Sequence, residues 1–123
     1  MKELKKIFKE MMLLFPGMDI MEIKDRNEGK FRFPIYINEQ LRTTEMEVLE
    51  LSVRSLNCLR RAGIVTIGDF VEFIHCEDDL KRIRSCGDKS VKEIMHKMFC
   101  YQYGMLSDKM KERFLREIVY LNQ

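Results

Sequence analysis

The sequence predicts a mainly α-helical protein: a compact helical bundle with helix-hairpin-helix-like units, an N-terminal helix and a short extended arm. Three observations support this fold class. Apolar residues recur at helical spacing near both ends of the chain. Capping residues and glycines divide the middle of the chain into short helical segments. Only one short stretch alternates as a strand does. The length of 123 residues favours a single domain.

The first element is a helix over residues 2–14, which the Pro16-Gly17 pair ends. Its apolar positions repeat every three or four residues, as one face of a helix requires. These positions are Leu4, Ile7, Phe8, Met11, Met12 and Phe15.

A polar turn over Asp25–Lys30 follows, and Asn27-Glu28-Gly29 suits a tight reversal. Residues Phe31–Ile37 then alternate between apolar and other side chains. Because Pro34 lacks the N–H group that a central strand needs, the alternation predicts an edge strand or an extended arm packed on helices.

The central helices are predicted by their caps. Ser52 is a suitable N-cap and Gly63 a suitable residue after the helix end, so residues 53–62 should form a helix. Thr66 and Asp69 have the spacing of a capping box, which opens a second helix through about Ile74.

Three further elements complete the chain. The acids of Glu77–Asp79 favour a helix start, and that helix should end near Arg84. A longer helix runs from Asp88 to about Tyr103 and is closed by Gly104. Ser107 caps a last helix with one apolar stripe, formed by Met110, Phe114, Ile118 and Leu121.

Composition excludes several classes of protein. No two of the four cysteines have Cys-x-x-Cys spacing, and no signal peptide or membrane-length apolar run is present. This pattern predicts a cytoplasmic protein with reduced cysteines and no membrane partner. His75 and His96 have no nucleophile elbow nearby, and no nucleotide loop or metal-binding loop occurs. We therefore expect no enzyme activity, no cofactor and no metal.

A candidate binding face lies on the predicted helix over residues 53–62. At about 3.6 residues per turn, four polar or basic positions share one side, while Val53, Leu56 and Leu59 turn mostly to the other. The four positions are Arg54, Asn57, Cys58 and Arg61. Such a face is typical of a helix that binds in a groove of nucleic acid, although a solvent-exposed polar face has the same spacing.

The start of the longer helix favours the first interpretation. Ser85, Gly87, Lys89 and Ser90 place hydroxyl groups, an ammonium group and free backbone N–H groups together, where they can bind a phosphate. The formal net charge is only +2, so a nucleic-acid site would have to be a local basic patch.

These segments carry a specific resemblance. The residues Leu49–Leu59, the turn over Gly63–Asp69, and the motif Gly87-x-Lys89-Ser90-x-x-Glu93-Ile94 resemble the C-terminal domain of the bacterial RNA polymerase alpha subunit. The resemblance spans roughly residues 49–106. It implies a compact SAM-like helical bundle without catalytic activity.

The resemblance also implies a partner, double-stranded promoter DNA that is bound in its A/T-rich minor groove. Arg54 would enter the groove, because a narrow A-tract groove has an enhanced negative potential. Residues near the DNA backbone would be Asn57, Cys58, Gly87, Lys89 and Ser90. Glu50 matches an acidic position that contacts the sigma factor, and activator proteins are further partners of the family.

Two positions depart from the family pattern. Ser85 stands where the family usually has Asn, and Asp88 stands where it usually has a basic residue. Asp88 would place a negative charge beside the phosphate site, although an acid is also favourable at a helix start. These changes bear on affinity and sequence preference rather than on the fold.

The domain organisation follows from the span of the resemblance. Residues 1–47 should form a helix and arm packed on the domain, 48–106 the polymerase-like domain, and 107–123 a C-terminal helix. About 48 residues are too few for the assembly domain of an alpha subunit, which predicts a free-standing version of the module. An alternative role for the apolar residues of the arm and flanking helices is a homodimer face.

Two other functions remain open at this stage. The near-neutral charge and Asp88 also suit a protein-interaction module that docks a sigma factor or regulator without binding DNA. A weaker alternative is an accessory helix-hairpin-helix domain of DNA repair, which would prefer structured DNA over A-tracts.

Overall fold

The computed structural model describes residues 2–14, 16 and 20–123. In these ranges the secondary structure consists of eight α-helices and one short 3-10 helix, with no strand. The α-helices are α1 (Lys2–Leu14), α2 (Ile20–Arg26), α3 (Glu39–Thr43), α4 (Val53–Arg61), α5 (Ile67–Phe73), α6 (Glu77–Lys81), α7 (Asp88–Gly104) and α8 (Asp108–Leu121), and the 3-10 helix is Met46–Leu49. The predicted mainly α-helical class is confirmed. Phe15 and Gly17, which entered the prediction of the first helix, lie outside the described residues.

The predicted caps form as expected. The Ser52 hydroxyl oxygen accepts a hydrogen bond from the Ser55 N–H (3.3 Å) at the start of α4. Thr66 and Asp69 form a reciprocal capping box at the start of α5. The Asp69 carboxylate accepts hydrogen bonds from the N–H groups of Val65 and Thr66, and these bonds hold the pKa of Asp69 below its usual range. Local side-chain chemistry therefore sets both helix starts.

Several predicted boundaries were wrong. The sequence predicted a turn from Asp25, whereas α2 continues to Arg26 and the turn begins at Asn27. Helix α6 ends at Lys81 rather than near Arg84, and the turn that follows it reaches a left-handed backbone at Ser85 (φ 71°). Gly104 is the last residue of α7 rather than a residue beyond it.

The structure also contains two helices that the sequence did not indicate. Helix α2 has only seven residues, too few for a clear periodic pattern, and it is held by burial of Ile20 and Ile23. Helix α3 has five residues. Its cap is Asn38, whose side-chain oxygen accepts the Leu41 N–H at 2.7 Å.

The segment after the first turn is an extended arm without a partner strand in the described part of the chain, as one of the two predicted forms required. Phe31 is buried at its start. The side chain of Asn122 fixes the arm to the end of α8, since its Oδ1 accepts the Arg32 N–H at 2.8 Å and its Nδ2 donates to the Arg32 carbonyl at 2.7 Å. The arm is therefore tied to the last helix.

Two clusters of buried side chains hold the helices together. We call them the inner core and the outer core. The inner core lies within residues 41–98 and comprises Leu41, Met46, Leu49, Cys58, Leu59, Ile64, Ile67, Phe70, Ile74, Leu80, Cys86, Val91, Ile94 and Met98. The outer core comprises Leu4, Ile7, Phe8, Met11, Ile20, Ile23, Phe31, Phe99, Tyr103, Phe114, Leu115, Ile118 and Val119.

Helix α7 joins the two cores. Its first half contributes Val91 and Ile94 to the inner core, and its second half contributes Phe99 and Tyr103 to the outer core. Phe33 of the arm packs against both. None of the described helices combines the length and apolar composition that a membrane span requires.

Candidate nucleic-acid interface

A concavity of about 800 Å³ opens between α4 and the turn that leads into α7. It contains all eight residues that the sequence proposed as a DNA-binding set. Its lining consists of Arg54, Asn57, Cys58, Arg61, Lys81, Ile83, Ser85, Cys86, Gly87, Lys89 and Ser90. The fold thus brings together two motifs that are separated by more than twenty residues of sequence.

Helix α4 forms one wall. Ser55, Cys58 and Leu59 are buried on the side that faces the inner core, and Arg54 and Arg61 are exposed. Val53 was predicted to lie on the apolar side of the helix with Leu56 and Leu59, but it does not belong to that side, because it is 76% exposed. At about 100° per residue, Val53 points roughly 200° away from Ser55, which faces α7.

The turn before α7 forms the opposite wall. Ser85 has a left-handed backbone (φ 71°), and the next two residues lead into α7 with Gly87 as its N-cap. No described residue caps this helix start with its side chain. The N–H groups of the first turn therefore remain available to an anion, where the helix dipole adds a partial positive charge.

Gly87 has no packing reason to be glycine. Its backbone is not left-handed, and a Cβ built on it would meet no described atom within 4 Å. A glycine in such a place permits close approach of a partner's backbone, which a methyl group would prevent. The open face of Gly87 looks into the concavity.

Two thiols form the floor. Cys58 and Cys86 are 1% and 8% exposed, and both are free. Burial and a hydrogen bond with Cys58 raise the pKa of Cys86 to about 12, so the Cys86 thiol is neutral at pH 7. The charges of the concavity thus lie on its walls.

A carboxylate braces α4 against α7. Glu93 accepts hydrogen bonds from the hydroxyl groups of Ser52 (2.8 Å) and Ser55, and from the Ser52 N–H (3.1 Å). Burial alone would raise the pKa of Glu93, but the hydrogen bonds from Ser55 and Ser52 outweigh it and lower the pKa. The brace joins α7, which carries Lys89, to the first turn of α4, which carries Arg54. No pattern in the sequence indicated this role.

The lining carries four cations and no acid. Arg54, Arg61 and Lys89 form no ion pair with a described residue, and Lys81 lies 4.0 Å from Glu77 and Asp78. Lys81, which comes from α6, was missed by the sequence analysis, as were Ile83 and Cys86. A protein with a net charge of only +2 therefore concentrates positive charge at one place.

Of the two residues that depart from the family pattern, only Ser85 lines the concavity. Asp88 is exposed and does not line the concavity, and neither do the nearby cations Arg82 and Arg84. Ser85 does line it. The carboxylate of Asp88 therefore acts only from outside the lining.

Glu50, the proposed protein contact, lies outside the concavity. It is exposed at the end of the 3-10 helix, with a left-handed backbone (φ 54°). Among the described residues no group of three or more His, Cys, Asp or Glu side chains could hold a metal ion.

A small helical bundle in which cations and an uncapped helix start surround one concavity defines a module for binding an anionic partner. The family described as the C-terminal domain of the bacterial RNA polymerase alpha chain matches residues 37–99, about half of the sequence. The protein belongs to this family, as the motifs around Arg54 and Gly87 indicated.

Similar proteins support the same family membership, since they are alpha subunits of RNA polymerase. The sequence is 37% identical over 82 residues to a DNA-directed RNA polymerase subunit alpha of Carboxydothermus hydrogenoformans, an alignment that covers 67% of this protein and 23% of the relative. It is 36% identical over 99 residues to the corresponding subunit of Clostridium botulinum, with 80% of this protein and 29% of the relative covered. The protein thus spans less than a third of the length of these relatives. No solved structure matches.

Proposed function

We propose that this protein binds double-stranded DNA through the concavity and acts in bacterial transcription without catalysis. Arg54 enters the minor groove of A/T-rich DNA, and Asn57, Arg61 and Lys89 hold the adjacent phosphates. Ser90 lines the concavity but is only 5% exposed, so its contribution is smaller. The observation that carries the proposal is the convergence of four cations and an uncapped helix start on one surface without an acid. These are the groups that position a protein on a phosphate backbone.

The geometry favours the minor groove through Arg54. This side chain is exposed in the first turn of α4 and free of ion pairs with described residues, so it can extend into a narrow groove. A narrow A-tract groove has a more negative potential than a G/C-rich one and attracts such a side chain. The preference should therefore depend on groove width rather than on contacts with individual bases.

The test is fluorescence anisotropy of an A-tract duplex and a G/C-rich duplex at about 50 and about 200 mM salt. Arg54→Ala should weaken binding by about tenfold or more and reduce the A-tract preference. Arg84→Ala is the matched control, since Arg84 is exposed but outside the lining, and it should change affinity less than about twofold. Equal effects of the two variants would reject the site.

A second variant tests the approach of the DNA backbone. Gly87→Ala should weaken binding by about tenfold, because its methyl group occupies the space in front of the helix start. Stability should fall by no more than about 1 kcal/mol, since Ala is a slightly poorer N-cap than Gly. Gly104→Ala, at the other end of α7 and equally open, should leave binding unchanged.

The proposal also covers association with the polymerase and the location of the protein in the cell. Membership in an RNA polymerase family suggests association with the polymerase, and such a role implies the cytoplasm of a bacterial cell. Sigma factors, activators, homodimer formation and the free-standing character of the module stay predictions. So does the division into residues 1–47, 48–106 and 107–123.

An alternative is a protein-docking role through the surface around Glu50. Val48 and Val53 are 40% and 76% exposed on either side of this acid in the sequence, which is unusual for valine. Titration of purified sigma factor against wild type and Glu50→Lys tests it. Binding that the substitution weakens about tenfold, with no DNA binding by the wild type, would favour docking over DNA binding.

A further inference from the structure

A second groove continues from the concavity along α7. The two share Arg54, Lys89 and Ser90 on their common edge. The far wall of the second groove is formed by Glu3 and Leu4 of α1, a helix that precedes the family match at residues 37–99. The groove is therefore a joint product of the family domain and its N-terminal addition.

Three lysines of α7 line this groove. Lys89, Lys92 and Lys97 all line it. Eight residues separate the first from the last, which corresponds to a rise of about 12 Å along the axis of α7. Phosphates of one DNA strand follow each other about every 3.4 Å along the duplex axis, so this length spans about three or four of them.

The cations of the groove outnumber its acids. Arg54, Lys89, Lys92 and Lys97 line it together with two carboxylates, Glu3 and Glu93. Glu93 stays charged while it accepts hydrogen bonds from Ser52 and Ser55, so the lining keeps an excess of two positive charges. Lys92 and Lys97 are exposed, and neither forms an ion pair with a described residue. The charge of Lys97 also helps to lower the pKa of Glu93, but neither ammonium group lies within ion-pair distance of a described acid, so both can reach an external anion.

We propose that Lys92 and Lys97 bind the sugar–phosphate backbone of the same duplex that Arg54 enters, so that α7 lies along one strand. This inference rests on the proposed function and extends its contact surface. The charge complementarity and the shared edge with the concavity both point to a continuous strand of phosphates rather than to a separate ligand. The contact adds affinity without reading sequence.

The experiment measures the salt dependence of duplex binding for Lys92→Gln/Lys97→Gln. Loss of two phosphate contacts should reduce the slope of log affinity against log salt by about 1.8, at about 0.9 per contact. Affinity should fall by the same factor on A-tract and G/C-rich duplexes, because backbone contacts are independent of sequence. Lys30→Gln/Lys109→Gln removes the same charge from exposed positions outside the groove and should leave the slope unchanged.

Duplex length provides a second measurement. Wild type should gain affinity when the duplex is lengthened from about 8 to about 16 base pairs, and the Lys92/Lys97 variant should gain less. An unchanged slope in that variant, or an equal loss in the Lys30/Lys109 control, would overturn the extended surface while Arg54→Ala still reports on the concavity. No duplex binding by the wild type would overturn both proposals.

Discussion

The inner and outer cores stabilise the same molecule with different side chains. Of the 14 buried residues of the inner core only Phe70 is aromatic, whereas five of the 13 in the outer core are. All the ring contacts in the described part of the protein involve the outer core. The inner core instead relies on aliphatic packing between short helices, most of them started by a side-chain cap.

The two cores also differ in their relation to the candidate site. The inner core lies within the family match, and the concavity is built on it. The outer core gathers the segments on either side and packs behind the second half of α7. We infer that the outer core supports the site through α7 without contributing groups to the concavity. Stability and DNA binding should then respond to different substitutions.

The largest expected effect is loss of an outer-core ring. Phe114 is fully buried, with its ring centroid 5.5 Å from that of Phe99 and 5.9 Å from that of Tyr103. Phe114→Ala should lower the free energy of unfolding by about 4 kcal/mol, because it removes a large buried ring and leaves a cavity. Urea denaturation measures this change. Tyr120→Ala, on the exposed side of α8, should change it by less than about 0.5 kcal/mol.

The Phe114→Ala variant also tests whether the outer core affects DNA binding. If the cores are separable in function, folded Phe114→Ala should bind an A-tract duplex within about twofold of the wild type, while Arg54→Ala loses binding without losing stability. A parallel loss of affinity and stability in Phe114→Ala would show that the outer core shapes the concavity.

The two regions also differed in how far the sequence predicted them. Starts of helices in the inner region were predictable because Ser52 and Thr66 act on N–H groups only three residues away. Helix α2 of the outer region was not, because seven residues give no clear periodic pattern and burial of Ile20 and Ile23 holds it. Helix α3 of the inner region was missed as well, although Asn38 caps it through the Leu41 N–H. The resemblance indicated the site residues, but not their joint concavity with Lys81 of a different helix. No local pattern could indicate that Glu93 reaches back to Ser52.

The second prediction concerns the contact that closes the outer region. The buried Asn122 side chain bonds both backbone groups of Arg32 and also donates to the Ile118 carbonyl at 2.7 Å. Asn122→Ala should cost about 2 kcal/mol, since it leaves two part-buried backbone groups of Arg32 without these partners. The neighbouring exposed Gln123→Ala is the control in thermal unfolding. A cost below about 0.5 kcal/mol would mean that the arm is held by apolar packing alone.

The third prediction concerns His96, which lines a pocket with Phe8 and Phe31 of the outer core. Burial, with Lys24 and Lys92 nearby, lowers the pKa of His96 to about 4. Its Nδ1 is buried without a hydrogen-bond partner among the described residues, and its Nε2 lies 3.4 Å from the Lys24 ammonium nitrogen. The folded protein therefore disfavours the imidazolium form.

The sign follows from proton uptake. Because the folded pKa lies below the usual value of 6.5, the unfolded protein binds the proton first, and stability is lost as pH falls from about 6.5 towards 4. Between about pH 7 and pH 4.5 the wild type should lose about 1–2 kcal/mol more than His96→Gln, which cannot titrate. Urea denaturation across this range checks the difference, and identical pH profiles would contradict it. Asp25, Glu28 and Glu77, which line the same pocket, are unchanged in His96→Gln.

The smallest expected effect lies at the concavity and has the opposite sign. Ser85 has a left-handed backbone, which costs an ordinary side chain about 1 kcal/mol, whereas Asn tolerates it better and Gly adopts it freely. Ser85→Asn should therefore raise the free energy of unfolding by about 0.5 kcal/mol, and Ser85→Gly by up to about 1 kcal/mol. Arg84→Gly, at a neighbouring turn position without a left-handed backbone, should be destabilising instead. If all three variants lower the melting temperature, Ser85 is not strained, and its hydroxyl stabilises the turn. If the Ser85 variants raise the melting temperature while DNA affinity falls, Ser85 favours binding over stability. The stability lost at this wall is then supplied by the outer core, on the other side of α7.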